Sequence, residues 1–278
     1  PLPAGPGRVQ LNAPLPPGGD VFAIGWAPDS SRVAYHADQD VDGDNELYSV
    51  LPDGTGRVQL NAPLVANGGV LSFAWAPDSS RVAYRADQDV DNDFELYSVL
   101  PDGTGRVQLN GPLVAGGDVS NFEWAPDSSR VAYEADQDID GVSEIYTSLA
   151  AGGGNAKING PLVLTGDAAL DTTTPAWAPD SSRVAYEADQ DTEVVTELYS
   201  SLATGCGIAM INGPLVAGGP ASERAWSPDS SRVAYYADQD TDNIRELYIR
   251  SGDGSGTPQK VSPAGMAGTV NLPFVWGP

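Results

Sequence analysis

The chain has 278 residues, 41% hydrophobic and 8% aromatic, enough for a sizeable core and too apolar for a disordered chain. Lysine and arginine number 14 against 38 acids, a formal charge of −24 that argues against nucleic acid or anionic membranes as partners and suits cations. No apolar run approaches the roughly 18 residues of a bilayer span, so membrane insertion is not expected, and the single Cys206 permits no internal disulfide.

In chain order, residues 1–6 are a Pro/Gly lead without an initiator Met or a signal peptide, which reads as a mature or excerpted form. Arg8-Val9-Gln10-Leu11-Asn12 matches Arg57–Asn61 and Arg106–Asn110, so the first patterned stretch is the end of a repeat whose beginning is missing. Then comes Trp26-Ala27-Pro28-Asp29-Ser30-Ser31-Arg32-Val33-Ala34-Tyr35, an acidic run, and Glu46-Leu47-Tyr48. The block returns at Trp75, Trp124, Trp177 and Trp226, and a truncated copy closes at Trp276, with spacings of 49, 49, 53, 49 and 50 residues. A period near 50 marks a repeat architecture and outranks local readings.

Each copy predicts four short strands. In the second copy these are Val70–Trp75, Arg81–Ala86, Glu95–Leu100 and Arg106–Asn110. Val82, Tyr84 and Ala86 alternate on one face, and Pro77-Asp78-Ser79-Ser80 and Pro101-Asp102-Gly103 supply turn chemistry. With 32 glycines and 23 prolines punctuating the chain, nothing reads as helix. The expected fold is an all-β β-propeller, because one four-stranded sheet cannot bury both faces unless others stack on it. It is expected to form a single domain over 1–278. Full repeats begin near 21, 70, 119, 172 and 221, and partial repeats lie at 7–12 and 270–278. The segments Arg8–Asn12 and Asn271–Trp276 are the outer and inner strands of an incomplete sixth blade; the alternative is a five-bladed ring. The fourth copy carries four extra residues around Asp171–Pro175, read as a loop insertion.

The acidic hairpins read Asp38-x-Asp40-x-Asp42-Gly43-x-x-Glu46, Asp87-x-Asp89-x-Asp91-Asn92-x-x-Glu95, Asp136-x-Asp138-x-Asp140-Gly141-x-x-Glu144, Asp189-x-Asp191-x-Glu193-Val194-x-x-Glu197 and Asp238-x-Asp240-x-Asp242-Asn243-x-x-Glu246. Carboxylates at positions 1, 3, 5 and 9, with Gly or Asn at 6 for a sharp turn, predict calcium (Ca2+) ligation by all twenty acids. Oxygen-only ligands argue against zinc and copper. The other reading is a solvated Asp-rich turn, with the last Glu bonding backbone. The upstream Arg32, Arg81, Arg130, Arg183 and Arg232 are expected to pair with the turn Asp of their copy. The varying His36, Arg85, Glu134, Glu187 and Tyr236 suggest an exposed position, either facing a partner or forming unconstrained surface.

Trp226-Ser227-Pro228-Asp229, Val233-Ala234-Tyr235 and Glu246-Leu247-Tyr248, with their equivalents in every full copy, resemble the TolB-type propeller repeat over nearly the whole chain. Serine stands where that family has a turn Gly, and the acidic hairpin is longer. The hairpins resemble the calcium loops of integrin-type propellers. The resemblance implies a propeller, typically six-bladed, used for binding or as an accessory domain, and does not by itself imply catalysis. One histidine, one cysteine and no nucleophile or phosphate motif point away from an enzyme. The expected function is a calcium-stabilised extracellular, cell-surface or periplasmic propeller. Its partners would be another protein or further copies of itself, met through the terminal strands. The alternative is a TolB-like accessory or gating domain of a larger envelope protein or hydrolase.

Overall fold

A computed structural model describes residues 7–163, 166–170, 176–192, 195–216, 219–241 and 243–261. Among them every helix or strand is a strand, and these form five four-stranded antiparallel meanders, an all-β β-propeller fold with five blades. Among the described residues no helix is long and apolar enough to cross a membrane.

Blade 1 is β1 (Val21–Trp26), β2 (Val33–Ala37), β3 (Glu46–Val50) and β4 (Val58–Gln59), and blade 2 is β5 (Val70–Trp75), β6 (Val82–Ala86), β7 (Glu95–Val99) and β8 (Val107–Gln108). Blade 3 is β9 (Val119–Trp124), β10 (Arg130–Ala135), β11 (Glu144–Leu149) and β12 (Ala156–Lys157). Blade 4 is β13 (Ala168–Ala169), β14 (Arg183–Ala188), β15 (Glu197–Leu202) and β16 (Ala209–Met210), with Trp177 bridged to Val184. Blade 5 is β17 (Ala221–Trp226), β18 (Arg232–Ala237), β19 (Glu246–Ser251) and β20 (Gln259–Lys260). The outer strands are only two residues long, shorter than expected from Arg106–Asn110. The asparagine after each turns inward instead: Asn61, Asn110, Asn159 and Asn212 accept the N–H of Leu47, Leu96, Ile145 and Leu198 at 2.7–2.8 Å.

The chain divides into two compact units, Pro1–Asn110 with Ala150–Gly153, and Gly111–Leu149 with Gly154–Pro278. In the first, Leu47 and Leu60 of blade 1 join a core with Val70, Val82, Tyr84, Tyr97 and Val99 of blade 2. In the second, Ile145 joins Val184 and Tyr186, and Leu198 joins Val233 and Tyr235. Blades 1, 3 and 4 thus each drive one aliphatic side chain of the third strand into the next blade, and each such burial stabilises by about 1.5–3 kcal/mol. The repeated tryptophans lock the same junctions. Trp75 Nε1 donates to Gly25 O (3.0 Å), Trp177 to Glu123 O (3.2 Å) and Trp226 to Ala176 O (3.1 Å).

The serine that departs from the TolB-type pattern has a structural role. Ser79, Ser181 and Ser230 hold left-handed backbone at φ 65°, 62° and 61°, where glycine is the usual residue. Their hydroxyls accept the N–H of Asp29, Asp127 and Asp180 in the neighbouring blade at 3.0 Å. Glycine would relieve the backbone and lose that link.

Blade 1 begins differently. Trp26 is 54% exposed where Trp124, Trp177 and Trp226 are 7%, 2% and 7% exposed, and Val21, Phe22 and Ile24 are exposed with it. Arg8–Asn12 is not a strand, because no third strand lies beside it among the described residues. It nevertheless holds an outer-strand place. Val9 and Gln10 fill the space beyond Gly54 as Val58 and Gln59 fill that beyond Gly103. Asn271–Trp276, the partial repeat 270–278 and the insertion Asp171–Pro175 lie outside the described residues.

Candidate functional site: the acidic hairpins

Each hairpin joins the second and third strands of its blade. Position 6 makes the expected turn, with Gly43, Asn92, Gly141 and Asn243 at φ 94°, 65°, 75° and 61°. Position 1 caps backbone. Asp38 accepts the N–H groups of Asp20 and Gly43, Asp87 those of Gly69 (2.6 Å) and Asn92 (3.1 Å), and Asp136 those of Asp118 and Gly141. The Asp20 N–H is the main reason the Asp38 carboxyl lies below its ordinary value, and the Asp42 side chain also meets it.

Positions 3 and 9 converge elsewhere, on the tyrosine two residues after the glutamate. Tyr48 Oη donates to Asp40 and Glu46, both at 3.0 Å, and Tyr97 Oη to Asp89 (2.9 Å) and Glu95. Tyr146, Tyr199 and Tyr248 donate to Glu144, Glu197 and Glu246 at 2.8, 3.1 and 3.0 Å. Burial pushes Glu46 up to about 7, with Asp40, Asp44 and Asp38 adding their charge against the Tyr48 bond.

In blades 3 and 5 the outer strand inserts a cation between positions 3 and 9. Lys157 Nζ lies 3.1 Å from Asp138 and 2.6 Å from Glu144, and Lys260 Nζ lies 2.8 Å from Asp240 and 2.5 Å from Glu246. Blade 2 uses an amide there, Gln108 Nε2 donating to Glu95 at 2.8 Å. The acids therefore stand as pairs, and among the described residues no group of three or more is placed to hold a metal ion. Glu193 and Asp242 lie outside the described residues.

The glutamine at position 2, which the spacing pattern passes over, is the most engaged residue of the hairpin. Gln39 and Gln88 Oε1 each accept the N–H of Ala13 or Ala62 (3.0 Å) and the hydroxyl of Tyr35 or Tyr84 (3.1 Å). Gln137 accepts Gly111 N (2.8 Å) and Tyr133 Oη (3.0 Å). Its presence in all five copies is the signal that could have found it. The two tyrosines of each blade stack at 5.3–5.8 Å, one serving the glutamine and the other the carboxylates.

The upstream arginines do not pair with the turn aspartates. Arg32 donates to Ser49 Oγ and Gly56 O, both at 2.6 Å, and Arg81 to Ser98 Oγ and Gly105 O at the same distance. Arg130 and Arg183 repeat this on Gly154 O and Gly207 O at 2.6 Å. The turn aspartate is occupied by its own loop, Asp29 accepting Ser31 N at 2.9 Å, so the arginine ties strand to turn instead.

The varying residues after the second-strand tyrosine are not exposed either. His36, Arg85, Glu134 and Glu187 are half-buried, and Tyr236 is 4% exposed beneath Arg245, whose guanidinium sits 5.5 Å from the ring centroid. Burial raises the Glu134 carboxyl above its ordinary value, against a bond from Leu170 N (3.1 Å). A raised carboxyl contributes stability that is fully present below the unfolded value and lost as the pH climbs through the folded one. Glu134→Gln should therefore melt like the wild type near about pH 4 and higher than it near about pH 8. An equal difference at both pH values would show that Glu134 ionises normally.

No family model matches the chain, and no curated protein is similar to it. Solved structures do resemble it. The dipeptidyl peptidase 4 of Porphyromonas gingivalis superposes with a TM-score of 0.58 at 12% identity, over 86% of this chain and 36% of that one. A prolyl endopeptidase gives 0.54 at 14% identity, over 88% and 36%. A TolB-like protein of Agrobacterium tumefaciens gives 0.45 at 14%, over 86% and 79%. At such identities the likeness is one of fold, and this chain spans about a third of each peptidase.

Proposed function

We propose that the chain is a non-catalytic propeller with a structural or protein-binding role, set outside the cell, on its surface or in the periplasm, and that it associates with further copies of itself. The observation that carries this reading is the open leading face of blade 1. Trp26, Ile24, Phe22 and Val21 form an apolar face of the kind that the sister blades bury. Beside them Leu11, Val33 and Tyr35 help line a cavity of about 270 Å³, where the sister junctions seat a third-strand leucine. The hairpin acids recur blade after blade with tyrosine, glutamine or lysine partners, which suits architecture better than a single asymmetric reaction centre. Light scattering across a dilution series tests the reading. Mass should rise with concentration, and Trp26→Glu should hold the chain at one copy; a constant single-chain mass for both would sink it.

Calcium belongs to the proposal for the hairpins of blades 1 and 2, which lack an internal ammonium and carry an amide in its place. There the outer strand brings Gln59 and Gln108, rather than lysine, opposite Tyr48 and Tyr97, the tyrosines that bond Asp40 with Glu46 and Asp89 with Glu95. Calorimetry should find uptake with a matching rise in melting temperature by mass action. Lys157→Met should add a site in blade 3. No uptake in millimolar calcium would leave the hairpins neutralised by protons and side chains alone.

A second reading is an accessory propeller domain of a larger hydrolase or envelope protein. It is favoured by the peptidase neighbours, of which only 36% is matched. A hydrolase domain encoded in the same reading frame would decide for it.

A further inference from the structure

The residue facing the second tyrosine across the outer strand pair is Gln59, Gln108, Lys157, Met210 and Lys260 in blades 1 to 5. In blades 3 and 5 its ammonium bridges the carboxylates at hairpin positions 3 and 9. Blade 4 keeps that carboxylate pair, Asp191 and Glu197, and replaces the lysine with Met210. What opens there is a cavity of about 840 Å³, lined by Asp191, Glu197, Met210, Leu215, Val216 and Pro258 among others.

The cavity has two chemically distinct parts. At one end Glu197 is 5% exposed, its Oε2 accepting Tyr199 Oη at 3.1 Å, and burial raises its carboxyl above the ordinary value. Among the described residues neither Glu197 nor Asp191 pairs with a lysine or arginine. Arg250 also lines the cavity, but its Nη1 is turned to the carbonyls of Met210, Ile211 and Asn212 at 3.1–3.3 Å. The rest of the wall is mainly apolar, with Thr192, Asn212 and Thr257 as its other polar side chains. Asp191 is exposed, but Glu197 is buried, and a buried carboxylate without a cation is costly; the sister blades show which cation satisfies it.

We propose that this cavity binds a lysine side chain presented by a partner polypeptide. Its ammonium would lie on Asp191 and Glu197 as those of Lys157 and Lys260 lie on their own pairs. Its methylenes would run along Met210, Leu215 and Val216. The site rests on the protein-binding reading and gives that reading a chemical specificity.

The probe is Nα-acetyl-lysine N-methylamide, titrated against the full chain and followed by amide NMR shifts, with the norleucine analogue and n-butylammonium as controls. Saturable shifts confined to the Asp191–Val216 wall are expected. The norleucine analogue should bind at least about tenfold more weakly, having lost a charge-assisted bond. Butylammonium binding as tightly as the lysine derivative would assign the site to free amines and overturn the polypeptide part. Met210→Lys fills the site from within and should abolish binding while keeping or raising the melting temperature. Glu197→Gln should weaken it about tenfold or more, and decides the matter if Met210→Lys does not fold. Unsaturable shifts, binding unchanged in these variants, or calcium alone occupying the pair and displacing the amine would overturn the proposal. A chain that never self-associates yet binds the lysine derivative would sink the assembly reading and leave this site standing.

Discussion

Trp226→Ala is expected to lower stability by about 3–5 kcal/mol, the range for deleting a large buried aromatic. The indole is 7% exposed, packs with Val233, Tyr235 and Leu198, and donates its N–H to Ala176 O at 3.1 Å. The loss should appear as a lower denaturation midpoint. The equivalent change in blade 1 should behave quite differently. Trp26 is 54% exposed, so Trp26→Ala should cost the isolated chain less than about 1 kcal/mol. Its effect should fall on self-association instead. Equal losses at the two positions would mean that Trp26 is already covered within its own chain.

The second large effect is expected at Gln88. Its side chain is 3% exposed and accepts from both Ala62 N and Tyr84 Oη. Gln88→Met keeps the volume and strands the buried Tyr84 hydroxyl and the part-buried Ala62 N–H, a buried donor being worth about 1–3 kcal/mol when unsatisfied. A loss of about 2–4 kcal/mol is expected in chemical denaturation. A loss below about 0.5 kcal/mol would show that water replaces the amide and that the clasp from hairpin to linker is dispensable.

The contrast between these residues shows what could be read from the sequence. Trp226 was legible because a tryptophan every 49–53 residues beside Val-Ala-Tyr has few structural uses other than a stacked sheet. The second-copy strands at Val70–Trp75, Val82–Ala86 and Glu95–Val99 lie within a residue of the bounds expected from the sequence, and position 6 of each described hairpin with Gly or Asn there turns as that residue requires. Gln88 was hidden because the eye follows charge, and a neutral amide between two aspartates carries no periodicity of its own. The arginine partners were misjudged for a related reason. Arg32 and Asp29 are close in sequence, but the Asx turn occupies the aspartate, while Ser49 and Gly56 reach the guanidinium only once the third strand has paired. The separation of each hairpin into two pairs was equally beyond spacing. It depends on where Tyr48 Oη stands and on whether the outer strand brings lysine, glutamine or methionine to the same place.

The claim on which the functional reading turns is that another copy covers the leading face of blade 1. Ile24, 69% exposed at the centre of that face, can be replaced by the photo-cross-linker p-benzoylphenylalanine in a mixture of normal and heavy-isotope chains. Irradiation followed by mass spectrometry reads which chain the side chain touches. Cross-linked peptides joining light to heavy chains are expected, at a yield that falls on dilution and is lost with Trp26→Glu. Cross-links confined to chains of one isotope, at a yield independent of concentration, would contradict the account.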